Sequence, residues 1–171
     1  MTSDDRCPGC GAALPDDPNG PHHRYMIASS GCWEAFGEIL AAEFSRPGWG
    51  REHRLTVDTY AAQHPGEDGR KQRQSVAIHL VALCHRLEHD LDTKSVLAAT
   101  RSMTTEKREW PHLTAPRAYS LTVIDALKST SAEEHPGFIY RWAEATWAAW
   151  SNHHATVRAW ADDALRAVGR A

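Results

Sequence analysis

The chain reads as an all-α protein, a helical bundle of about five to six helices with a short N-terminal zinc-knuckle-like loop. Three observations predict this. Apolar residues recur at intervals of three and four over most of the chain, and no stretch alternates with the period of a strand. Prolines fall between these periodic stretches or at their starts rather than inside them. Ahead of the first of them stands CPGCG, residues 7 to 11, whose Pro8, Gly9 and Gly11 allow the tight turn that brings two thiolates onto one ion. The expected division is a metal-binding loop over residues 1–32 and one compact helical unit over residues 33–171.

The first helix is expected over about 31–45, with Trp33, Phe36, Leu40 and Phe44 spaced by three and four, ended by Pro47 and Gly48. The second covers about 49–63 and stops at His64, because the residue before Pro65 is pushed out of helical geometry. A polar loop, GEDGRK, follows. The third, about 71–90, carries Val76, Ile78, Leu80, Val81 and Leu83 on most of its sides, which predicts a central position. Asp92 or Thr93 can cap a fourth helix reaching about 105. The segment WPHLTAP connects to a short helix near 121–128, and a last helix from Pro136 to about Val168 holds Trp142, Trp147, Trp150 and Trp160.

Composition narrows the chemistry. With 171 residues the chain can bury a core without disulfides to support it, and four cysteines are too few for a disulfide scaffold. The start, MTSDDRC, has no apolar run, and Ser75 to Leu83 is too short to span a bilayer. The expectation is a cytoplasmic protein with reduced thiols and no membrane partner. A net charge of −3 makes nucleic acid an unlikely partner and leaves an unknown small molecule or protein. Eleven histidines and seven tryptophans are the unusual counts.

A close C-x-x-C pair among reduced thiols points to metal or redox chemistry, and a thioredoxin-like motif would need a βαβ context that this sequence lacks. Cys7 and Cys10 therefore read as zinc ligands. The C-x2-C pair is followed by twelve residues to His23 and eight more to Cys32, which supplies a Cys3His set of Cys7, Cys10, His23 and Cys32, with His22 as the alternative to His23. The competing reading makes Cys32 a buried thiol and the histidines ordinary loop residues.

The remaining histidines raise the prospect of a second divalent metal. His53, Val57, Tyr60 and His64 share one helical face, but eleven residues separate the two histidines by about 16 Å, so they cannot share an ion. Each could instead meet His79 or His154 from another helix, giving a possible second site of catalytic type drawn from His64, His79, His154 and His53. A buried neutral histidine bonded to a carbonyl or carboxylate is the plainer alternative. HRLEH, residues 85 to 89, matches the H-x-x-E-H pattern of inverted zinc proteases, a short motif that arises easily by chance. Cys84 reads as a small core residue. Neither a G-x-S-x-G elbow nor a Gly-rich phosphate loop is present.

Taken in order, CPGCG, GCWEAFGEILAAEFS, HRLTVDTYAAQHPG, QSVAIHL and WAEATWAAWSNHHATVRAWA resemble an uncharacterised bacterial family, domain of unknown function 5946. The resemblance covers Cys7 to Ala161 and implies membership without an activity. Sequence alone thus supports a metal-binding bacterial protein, either a metal-dependent enzyme with a second His-rich site or a zinc-stabilised module that binds a protein or small ligand.

Overall fold

The computed structural model describes residues 6–105 and 107–169. Among the described residues there are seven α-helices and no strand, only an isolated antiparallel bridge between Arg6 and Ala13. The helices are α1 Ser30–Ser45, α2 His53–Gln63, α3 Arg70–Leu87, α4 Thr93–Thr105, α5 Val123–Ala126, α6 His135–Ala149 and α7 His154–Val168. None of them is long and apolar enough to cross a membrane.

Helix α1 begins where the Ser29 hydroxyl accepts from the Cys32 N–H, at 3.3 Å, satisfying one of the free donors of the first turn. Its buried stripe is Cys32, Ala35, Phe36, Ile39 and Glu43. This differs by part of a turn from the apolar set expected from sequence: Phe44 is 75% exposed while Glu43 points inward. A glutamate takes a core position here because partners on other helices satisfy its carboxylate, so apolar spacing alone misplaced the seam.

A 3-10 turn at Trp49–Glu52 feeds α2, nearly all of which is buried. Helices α1 and α2 run antiparallel, since Cys32 at the start of α1 meets His64 just past the end of α2, while Glu43 near the end of α1 meets His53 at the start of α2. Helix α3 packs against α2, α4, α6 and α7 and buries Val76, Leu80, Val81 and Leu83, the central position its all-round apolar pattern predicts. The short α5 is held by a capping box in which Thr122 and Asp125 satisfy each other's backbone N–H groups.

The single long last helix expected from sequence is two helices, α6 and α7, separated by a 3-10 turn at Ser151–His153. Ser151 and Asn152 are poor interior helix formers because their side chains compete for backbone groups. The break is completed by Trp150, whose indole N–H donates to the Ala62 carbonyl at 3.2 Å, and by His154, whose Nε2 lies 2.9 Å from the Trp147 carbonyl at the end of α6. Trp142 and Trp150 are fully enclosed, and Trp147 and Trp160 nearly so.

Candidate metal centre

The knuckle is built locally. Cys7 N–H donates to the Ala12 carbonyl at 2.9 Å and Gly11 N–H to the Cys7 carbonyl at 2.8 Å, a turn that Gly11 closes with a left-handed φ of 79°. The Ala12 N–H faces the Cys10 sulfur. Gly9 has no room for a side chain: a Cβ there would run into the Ile27 carbonyl and the His64 ring. The turn therefore sits directly on the C-terminal end of α2.

Four donors converge at that contact. Cys7 and Cys10 come from the knuckle, Cys32 from the first turn of α1 and His64 from the residue after α2, with one ligand atom of each within 4.8 Å of all the others. Cys10 Sγ lies 3.7 Å from Cys32 Sγ, and His64 Nε2 lies 3.3 Å from Cys32 Sγ. Tetrahedral zinc with Zn–S bonds of about 2.3 Å separates its sulfurs by roughly 3.8 Å, so this spacing suits the ion. His64 Nδ1–H donates to the Tyr60 carbonyl at 2.7 Å, which leaves Nε2 as the bare nitrogen facing the thiols. Tyr60 stacks on the His64 ring at 3.9 Å and its hydroxyl donates to Cys32 Sγ at 3.7 Å. All four donor residues are buried.

The thiols cannot all ionise together on their own. Hydrogen bonds from Cys10 and Cys32 pull the Cys7 thiol far below the usual range. The Cys32 bond lowers Cys10, but Cys7 and burial prevail and push it up to about 12. Cys10, Cys7 and burial together push Cys32 far up. One thiolate thus suppresses its neighbours, as three like charges in a small volume must. A divalent cation removes that conflict, which is the chemical fit of this donor set to zinc.

His23, expected as the fourth ligand, is placed elsewhere. Its Nδ1 accepts from the Tyr25 N–H at 3.2 Å and its ring lies 5.0 Å from that of Trp33. His22 is exposed. The nitrogen that joins the sulfurs is His64, which the expected second site had claimed.

That second site is not assembled, because each of its histidines has a different partner. His79 Nδ1–H donates to Asp58 at 2.7 Å, and Asp58 is also held by Arg54. His53 Nδ1–H donates to Glu43 at 2.7 Å. His154 lies flat against Trp147, with ring centres 3.9 Å apart, and bonds the carbonyl of the same residue. The helix break before His154 turns it away from the face that a continuous helix would have shared with Trp150.

The HRLEH segment is likewise committed. Glu88 accepts from the Arg158 guanidinium twice, at 2.8 Å, and from the Trp147 indole at 2.9 Å. The Arg158 bonds hold its carboxyl down at about 2, so it is a fixed counter-ion rather than a base. His85 is enclosed, with Nδ1 3.2 Å from His89 Nδ1. Burial raises the Cys84 thiol to about 12, which fits an inert core residue.

The fold and the site together define a class: an all-α protein whose N-terminal turn is tied to a helical bundle by a buried cluster of three cysteines and one histidine. The chain belongs to the family of unknown function DUF5946, whose model matches residues 5–151. Comparisons with curated proteins and with solved structures return no match.

Proposed function

We propose that this is a zinc-binding protein in which Cys7, Cys10, Cys32 and His64 hold one structural zinc that fastens the N-terminal segment to the helical bundle. The observation that carries the reading is the convergence of four buried donors from three separate segments, with the His64 tautomer fixed by Tyr60. Four protein ligands fill a tetrahedral ion, leaving no position for water or substrate, so the metal supplies folding energy rather than catalysis. Tyr60 orients His64 and donates to Cys32, the kind of support that tunes ligands in such sites.

Metal analysis of protein purified without added metal tests the proposal. One zinc per chain, lost in both Cys10→Ser and His64→Ala, is expected. Full zinc content in His64→Ala would displace His64 from the ligand set.

A further inference from the structure

Away from the thiols lies a second buried polar centre, and it opens onto a cavity. His135, at the first position of α6 and 1% exposed, places Nε2 3.0 Å from Glu43 Oε1 and Nδ1 2.9 Å from Ser129 Oγ. Glu43 is fixed from two other directions, by the Thr56 hydroxyl at 2.5 Å and by His53 Nδ1–H at 2.7 Å. The Trp49 ring lies over the imidazole at 4.7 Å between centres. Carboxylate, imidazole and hydroxyl thus stand in line, the order that activates a serine in acyl transfer. Ser129 and His135 both line a cavity of about 200 Å³, together with Glu38, Ile39, Arg46 and Trp49.

We propose that Ser129 is a nucleophile toward small neutral carboxylic esters, with His135 as its base and Glu43 as the residue that positions His135. Glu43 is an acceptor for His135, so the Nε2–H tautomer is favoured and the Nδ1 lone pair faces Ser129. The hydroxyl has a second acceptor, the Ala126 carbonyl at 3.0 Å, and its proton turns to Nδ1 for reaction.

In the first step Ser129 Oγ bonds to the acyl carbon while its proton passes to His135 Nδ1. The C–O bond to the alcohol then breaks, and the alcohol leaves with that proton. Water, giving a proton to the same nitrogen, next attacks the acyl-serine and releases the acid and the free hydroxyl. No oxidant or further reactant is needed, and the Glu43 carboxylate stabilises the imidazolium formed in each step. The cavity is smaller than most ligand pockets, which limits the ester to a short acyl chain. Glu38 and Arg46, of opposite charge, share its lining, which favours a neutral substrate.

The test uses full-length zinc-loaded protein, a small alkyl fluorophosphonate and p-nitrophenyl acetate, with the modified residue located by peptide mass spectrometry. Modification at Ser129 and a burst of p-nitrophenolate are expected. Ser129→Ala should lose both while staying folded with its zinc content unchanged, and His135→Gln should slow labelling by about a hundredfold or more. Wild-type protein left unmodified at Ser129 by excess probe would overturn the proposal. So would equal labelling rates in a folded His135→Gln variant. Neither readout depends on which residues hold zinc, so the two proposals fail separately.

Discussion

Helices α1 and α2 carry a buried polar centre at each end, and the two are satisfied in opposite ways. At one end Cys32 and His64 meet the knuckle cysteines. At the other, eleven residues along each helix and about 16 Å away, Glu43 and His53 meet Thr56 and His135. The carboxylate end is complete as it stands: one negative charge receives three hydrogen bonds from protein groups. The thiol end is not, because three sulfurs crowd together and each thiolate opposes the next. The contrast teaches that a buried cluster of metal-type residues is not by itself a metal site. What distinguishes one is a set of donors that can ionise together only beside a cation.

The largest effect that would break this comparison is expected at the thiol end. Binding of structural zinc contributes on the order of 10 kcal/mol of apparent folding energy. Cys10→Ser should lose the ion and expose residues 6–32 to hydrogen exchange and proteolysis, while α3, α4 and α7 stay protected because their core lies elsewhere. A variant that keeps one zinc and native protection in that segment would contradict the account.

A smaller loss is expected at the carboxylate end. Glu43→Ala removes the acceptor shared by Thr56, His53 and His135 and leaves the buried His135 Nε2–H without a partner, at a cost of about 3 kcal/mol. Urea unfolding should register that loss with zinc content unchanged. A fall in zinc would mean that the two ends are not independent.

How much of this was legible in the sequence follows from the range over which each feature acts. The helices were readable because their signals are local: Pro47, Pro65 and the periodic apolar residues mark themselves. Cys7, Cys10 and Cys32 stood out by residue type and by the C-x-x-C turn. The approach of His64 to the thiols is not legible because it depends on an antiparallel pairing that brings it to a cysteine 32 residues away, whereas His23 lies between the cysteines in sequence. Its own signal was present, in a histidine four residues after Tyr60 whose ring can reach back to that carbonyl. The break before His154 is hidden because it rests on long-range bonds such as Trp150 to Ala62, and the burial of Glu43 carries no local signal because its partners His53, Thr56 and His135 come from other helices.

A third prediction concerns acid stability. Burial, helped by His89, depresses His85 to about 4 from 6.5, with Asp162 acting weakly in the opposite direction. Between those values the unfolded chain takes up the proton and the folded chain does not. Stability should therefore fall as pH drops below 6.5, by up to about 1.4 kcal/mol per unit, and stop responding to this group below about 4. Urea titrations of wild type and His85→Gln at pH 7 and 5 should show a shallower decline in the variant. Equal declines would remove His85 as the cause.

The smallest effects are expected at the histidines that sequence spacing nominated and the fold employs otherwise. His23→Ala should leave zinc at one per chain and cost little, because His23 makes one hydrogen bond with the Tyr25 N–H and covers Trp33 at a partly exposed edge. His79→Gln should lower stability through loss of its bond to Asp58 and leave metal content unchanged. Loss of zinc from either variant would reopen the ligand set.

The most direct measurement of the central claim is X-ray absorption at the zinc edge on protein purified without added metal, compared with His64→Ala. The account predicts one zinc per chain with three sulfur neighbours at about 2.3 Å and one imidazole nitrogen at about 2.0–2.1 Å, and no bound zinc in the variant. A wild-type protein without zinc, or a shell of two sulfurs and two nitrogens, would contradict it.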